Sequence, residues 1–153
     1  MIFSKKCEYA IRALTHLAGA AEVCDAREIS RDQKVPYPFM AKVLQELQRK
    51  GFLNSVKGAG GGFTLAKPPY RIRLIDVLKA IDGDEILSRC LYGFSRCSDS
   101  GPCPLHEDWK SLRGDIESYL RKHTLAQLAT RAAVKPEGKG KKRVAPAGVG
   151  ILS

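Results

Sequence analysis

Apolar residues recur at three- and four-residue spacing from the first turn of the chain. Cys7, Ala10, Ile11, Leu14, Leu17 and Ala18 make one stripe, which predicts a helix over residues 4–20. Ser4 is placed to cap its start, and Gly19 lies near its end. Asp25 and Glu28 form a D-x-x-E pair of the capping-box kind, so a short helix is predicted through Ile29 to about Gln33. Val35-Pro36-Tyr37-Pro38 then interrupts the pattern, because proline has no N–H to give a helix interior and favours a turn or a first helical position. The stripe resumes at Met40, Val43, Leu44 and Leu47, predicting a helix from Pro38 to Lys50 that Gly51 ends.

The period then changes. FLNSV (52–56) and FTLAK (63–67) read as strands, with KGAGGG (57–62) as a tight turn between them and Pro68-Pro69 as a stop. Helical spacing returns at Leu74, Val77, Leu78 and Ile81, predicting a helix over 72–82 closed by Gly83. After Pro104, Leu105, Trp109, Leu112, Ile116 and Tyr119 or Leu120 alternate at steps of four and three. That is the seam of a two-helix coiled coil, or else a face packed on the chain's own core.

A helix, a tight turn, a longer helix and then a hairpin make a winged helix-turn-helix. The predicted fold class is therefore mainly α with a small β-hairpin wing, followed by a long C-terminal dimerisation helix. The expected division is a DNA-binding domain at 1–83, a cysteine-rich loop at 84–104, the dimerisation helix and a C-terminal helix at 105–130, and a disordered basic tail at 131–153. The glycine run is not read as a nucleotide loop. Such loops join a strand to a helix, whereas strand-like sequence lies on both sides here and no Lys-Ser/Thr follows the glycines.

Charge sharpens this picture. The 153 residues carry a formal net charge of +10, but unevenly. Residues 1–50 hold 9 basic and 6 acidic side chains, 51–80 hold 5 and 1, 81–130 hold 6 and 8, and 131–153 hold 6 and 1. The first 80 residues suit a polyanion and the cysteine-bearing part does not. No run approaches the ~20 apolar residues of a membrane-spanning helix. Glu8, Arg12, His16 and Glu22 break the apolar N-terminal stretch, so it is not read as a signal peptide. A cytoplasmic protein without a membrane partner is expected, and its thiols are expected to be reduced, metal-bound or reactive.

The segment RCLYGFSRCSDSGPCPLHEDW (89–109) concentrates the candidate chemistry. Cys90, Cys97, Cys103 and His106 lie within 17 residues, and the intervening Gly93, Ser95, Ser98, Ser100 and Gly101 let the loop wrap around one soft metal centre. With the long helix starting near Pro104, Cys103 and His106 are expected on its first turn, facing the same way. A structural zinc ion accepts three thiolates and an imidazole. An iron–sulfur cluster is also held mainly by thiolates, and the wide first steps of this spacing suit its larger size. Both remain open on spacing.

The arrangement resembles the IscR, NsrR and RirA family of iron–sulfur transcription regulators over about residues 1–130. The matching stretches are S-K-K-C-E-Y-A-I-R-A-L, V-L-Q-E-L-Q-R-K-G-F, V-K-G-A-G-G-G-F, L-I-D-V-L-K-A-I-D-G, the three cysteines and H-T-L-A-Q-L-A. The resemblance implies a winged-helix homodimer on a double-stranded DNA operator, expected to repress, that senses iron–sulfur status, iron, nitric oxide or redox stress. It implies Cys90, Cys97 and Cys103 as cluster ligands. His106 stands where IscR-like members place a histidine for a 2Fe-2S cluster. Glu8 stands near where other members take a fourth ligand from the partner subunit, so 4Fe-4S is the alternative. The first cysteine step is one residue longer than in IscR-like members.

In a helix-turn-helix the second helix enters the major groove. Tyr37, Pro38, Ala41 and Lys42 are the expected base-edge contacts, Lys57 reaches the minor groove from the wing, and Arg27, Arg31 and Lys34 meet phosphates. Cys7 and His16 read as core or surface residues and Cys24 as inert. No nucleophile–base pair, paired catalytic carboxylates or cofactor fingerprint is found, so neither an enzyme nor a small-molecule substrate is expected.

Overall fold

A computed structural model describes residues 3–134. Ser4 opens α1 (Lys5–Gly19) by accepting the Cys7 N–H at 3.0 Å. Of the predicted stripe, Cys7, Ala10, Leu14 and Leu17 are buried and Ile11 and Ala18 partly so, while Ala13, outside it, is buried as well. Asp25 opens α2 (Ala26–Gln33) by accepting the Glu28 N–H at 2.8 Å. Pro36 leads into α3 (Tyr37–Arg49), which buries Met40, Val43, Leu44 and Leu47. Each such apolar side chain contributes roughly 1.5–3 kcal/mol when fully buried.

The turn between α2 and α3 is built by two residues. Lys34 adopts the left-handed conformation at φ 53°, the one non-glycine residue with positive φ among those described. Ser30, buried, donates its hydroxyl to the Val35 carbonyl at 2.6 Å while the Val35 N–H bonds the Ser30 carbonyl at 3.0 Å.

β1 (Leu53–Val56) and β2 (Gly62–Leu65) pair antiparallel, with Leu53 opposite Leu65 and Val56 opposite Gly62. Both strands are one residue shorter than predicted, although the Ala66 N–H still donates to the Phe52 carbonyl at 2.9 Å just beyond their ends. Cys24 adds a single rung on the other edge of β2: its backbone exchanges two hydrogen bonds with Phe63, at 2.8 and 3.2 Å. Hydrophobic pattern gave no sign of this rung, because a single bridged residue has no period.

After a 3-10 turn at Pro69–Arg71, α4 (Leu74–Asp82) buries Leu74, Ile75, Val77, Leu78 and Ile81. Asp76 caps it, accepting the Arg73 N–H at 3.1 Å and the Arg73 guanidinium at 3.0 and 3.1 Å. Ile72 and Arg73, predicted helical, instead face α5 (His106–Lys122) and α6 (Leu125–Ala133) through a bridge to Thr124. The Leu74 N–H bonds the His123 carbonyl and the Leu125 N–H bonds the Ile72 carbonyl, each at 2.9 Å.

One core runs through these elements. Leu120 and Leu125, from beyond the cysteine loop, are buried in the same cluster as Leu14, Met40 and Ile75. α6 lies against α1 and continues through Ala133, past the expected start of the basic tail at residue 131. The remainder of that tail lies outside the described residues. Among them, no helix is long and apolar enough to cross a membrane.

Candidate metal centre and nucleic-acid interface

The loop between α4 and α5 folds back so that its thiols turn inward. Cys90, Cys103 and His106 are 4%, 7% and 4% exposed, and Cys97 is half-buried. The donors stand as two close pairs. Cys90 Sγ is 3.7 Å from Cys103 Sγ, and Cys97 Sγ is 3.3 Å from His106 Nδ1. The structure thus pairs, two by two, the three cysteines and the histidine that sequence spacing singled out.

One expectation about this site changes. α5 begins at His106, so Cys103 precedes the helix rather than sharing its first turn. Pro102 and Pro104 flank Cys103, and proline disfavours helical backbone in the residue before it. The two residues stay joined because the His106 N–H donates to the Cys103 carbonyl at 3.0 Å.

Surrounding groups orient the donors. His106 Nε2 lies 2.7 Å from Asp99 Oδ1, which also accepts from Lys110 Nζ at 2.7 Å. A carboxylate on the far nitrogen of a ligating imidazole fixes the ring and raises its basicity. The hydrogen bonds from Lys110 and His106 hold the Asp99 carboxyl down at about 2. Trp109 donates its indole N–H to the Arg89 carbonyl at 2.8 Å and pins the start of the loop to α5. Burial opposes ionisation of Cys90, but backbone N–H groups of Phe94, Tyr92 and Gly93 outweigh it and draw that thiol below its ordinary range. Burial, with the neighbouring Cys90, pushes Cys103 the other way. Asp99 and Lys110 carry no spacing signal and were not anticipated from sequence.

The donor set fits a thiolate-bound metal centre: three thiols, one imidazole already tied to a carboxylate, and shielding from water. Glu8 is not part of this gathering within one chain. It lies on α1, where its carboxylate pairs with Lys5 at 2.9 Å.

At the other end, α3 exposes the face opposite its buried stripe. Tyr37 is 40% exposed, and Pro38 and Lys42 are exposed beside a half-buried Ala41. Phe39, 58% exposed in the same turn, was not among the expected contacts. A large apolar side chain off the buried stripe was the available signal. Arg27 stacks its guanidinium 4.5 Å from the Tyr37 ring centroid, bracing α2 against the start of α3. Arg31 pairs with Asp32 at 3.4 Å, and Lys34 projects from the turn. Lys57 is exposed on the wing loop. The glycines there have steric reasons: Gly58 and Gly60 have φ of 96° and 73°, and a Cβ on Gly61 would lie 2.3 Å from the Val56 carbonyl oxygen.

Comparison with known proteins agrees with this fold. Residues 3–131 match the family described as Rrf2, iron-dependent transcriptional regulator. A protein of Aquifex aeolicus (strain VF5), assigned by name to the HTH-type transcriptional regulators, is 36% identical over 131 residues, covering 84% of this chain and 91% of its own. The HTH-type transcriptional regulator IscR of Escherichia coli O1:K1 / APEC is 27% identical over 136 residues, covering 88% and 83%. Among solved structures, T. potens IscR superposes with a TM-score of 0.68 at 25% identity, covering 88% of this chain and 92% of that one. CymR (YrzC), the global cysteine regulator of B. subtilis, shares the fold at a TM-score of 0.73 and 21% identity, covering 84% and 96%. These relatives are transcriptional regulators, not enzymes, and this winged-helix chain belongs with them to the Rrf2 family of DNA-binding transcriptional regulators.

Proposed function

We propose that this regulator is a cytoplasmic homodimeric repressor that senses iron–sulfur or redox status through a cluster held by Cys90, Cys97, Cys103 and His106. The observation that carries this reading is the pairing of the donors, Cys90 with Cys103 at 3.7 Å and Cys97 with His106 at 3.3 Å. Two pairs suit a 2Fe-2S unit, in which each iron takes two protein ligands, whereas one tetrahedral zinc ion draws four donors to a point. When bound, such a cluster supplies one-electron redox chemistry and lability towards oxygen and nitric oxide. Glu8 is the fourth ligand of the alternative arrangement, a 4Fe-4S cluster completed across a dimer.

The chain's own residues connect this site to DNA. Cys103 and His106 fix the entry to α5, and Asp99 and Lys110 hold the imidazole. Leu105 at the cap of α5, and Leu112 and Tyr119 on it, are 41%, 40% and 55% exposed, one heptad apart, which supports use of this helix as a pairing seam. Ties between the loop and α5 therefore set how two reading heads are spaced on an operator. Tyr37, Pro38, Ala41 and Lys42 address base edges, Lys57 the minor groove, and Arg27, Arg31 and Lys34 the phosphates.

Anaerobic purification with iron and acid-labile sulfide assays tests the proposal. The expected product is coloured, carries both elements, and loses them when Cys90, Cys97 and Cys103 are changed to serine. A colourless protein containing zinc refutes the cluster. Operator affinity that ignores nitric oxide and oxidants refutes the sensing role. Loss of the cluster in Glu8→Ala but not His106→Ala reverses the choice of fourth ligand.

A further inference from the structure

A second group of metal-ligating side chains lies away from the cysteine loop. His16 stands in the last turn of α1, Cys24 on the bridge to β2, and Glu28 in the first turn of α2. One donor atom from each lies within 4.8 Å of the other two. Cys24 is 4% exposed, and His16 and Glu28 are half-buried. The Gln33 side-chain amide sits 3.3 Å from His16 Nδ1; with its oxygen turned to the ring it accepts the Nδ1–H and leaves Nε2 for a metal, as outer partners do for ligating histidines. Asp32 Oδ2 is 4.0 Å from His16 Nε2. His16, Cys24 and Glu28 all line an open cavity of about 670 Å³ between α1, α2 and α6, so water has access to a remaining coordination position.

We propose that His16, Cys24 and Glu28 form a Zn²⁺ site, with water or Asp32 in the fourth position, that ties α1, α2 and the base of the wing together. One thiolate, one imidazole and one carboxylate suit a borderline ion such as Zn²⁺, whereas Mg²⁺ and Ca²⁺ demand oxygen ligands. The local charge favours a cation. Glu28 lies within 4.8 Å of the Cys24 thiol, and Asp32, Asp25 and Glu22 are near enough to add their negative charge there, on a chain whose net charge is +10. Arg12 lines the same cavity, but its guanidinium donates to the Gln33 carbonyl. Binding exchanges the Cys24 thiol proton for the metal: the S–H bond breaks, an S–Zn bond forms and one proton leaves to solvent. No electron moves.

The site stands apart from the proposed cluster, and the test keeps the two separate. The full chain with Cys90, Cys97 and Cys103 all changed to serine is titrated with Co²⁺ and then Zn²⁺. One equivalent of Co²⁺ with a thiolate-to-cobalt charge-transfer band is expected, displaced by Zn²⁺. Adding Cys24→Ser removes the band. His16→Gln and Glu28→Gln each weaken Co²⁺ binding by more than the ~10-fold minimum seen when an outer partner is lost. Absence of the band in the triple variant, or its survival in Cys24→Ser, overturns the site. Should Cys24→Ser fail to fold, unchanged Co²⁺ affinity in both His16→Gln and Glu28→Gln overturns it equally.

Discussion

At the scale of single residues, two positions carry measurable consequences. Lys34 closes α2 in a left-handed conformation, φ 53° and ψ 43°, that glycine adopts freely and an L side chain does not. The chain keeps a cation where the backbone prefers glycine, which points to the charge being used. Lys34→Gly is expected to raise stability by about 1 kcal/mol and to lower operator affinity, with a flatter salt dependence. Urea denaturation and fluorescence anisotropy at several salt concentrations measure the two effects, and unaltered affinity removes Lys34 from the phosphate contacts. Asp76 is the second position. Burial raises its pKa, but the Arg73 hydrogen bonds and charge outweigh that and leave the carboxyl below its ordinary value of 3.8. A depressed carboxyl contributes stability above its unfolded pKa and loses it as pH falls through the folded value. Asp76→Asn should therefore destabilise by about 1 kcal/mol at pH 7, a difference that shrinks below pH ~4. A gap that stays constant down to pH ~3 assigns the effect to something other than the charge.

At the scale of elements, the wing carries the sharpest expectations. Its loop is fixed by close backbone approach, with Gly61 against Val56 and Gly62 against the Cys24 carbonyl, a Cβ on either falling 2.3 Å from oxygen. Gly61→Ala must displace backbone, so a loss of about 1–3 kcal/mol and weaker operator binding are expected from denaturation and anisotropy. Lys57→Ala leaves the hairpin intact and should reduce the slope of log affinity against log salt by about one phosphate unit. Helices α1 to α3, the caps at Ser4 and Asp25 and the hairpin were legible in the sequence because each is specified locally, by a stripe of period 3.6, a capping residue or a glycine run. The start of α5 and the Cys24 rung were not. Two prolines around Cys103 decide the first, and a partner strand far along the chain decides the second.

At the scale of the whole molecule, the C-terminal helices do two jobs. Leu120 and Leu125 join the core formed with α1 and α4, while Leu105 at the cap of α5, and Leu112 and Tyr119 along it, stay on the surface. The sequence presented both faces as one seam. Only packing separates them, because Leu120 is 4% exposed and Leu112 is 40%. Leu112→Asp is therefore expected to leave the protomer folded, by circular dichroism, and to yield a monomer in sedimentation, with operator affinity reduced at least ~10-fold through loss of avidity. A stable dimer in that variant moves the pairing surface elsewhere.

Local order, the class of fold and the gathering of thiols in one loop followed from sequence alone, since each depends on neighbours within a few turns of chain. The tertiary structure decided what came from afar. It set Asp99 and Lys110 behind His106, paired Cys90 with Cys103 and Cys97 with His106, and brought His16 of α1 to Cys24 and Glu28. Side-chain periodicity reports which face a residue takes, but not which distant residue meets it there. That meeting is settled by how the helices pack.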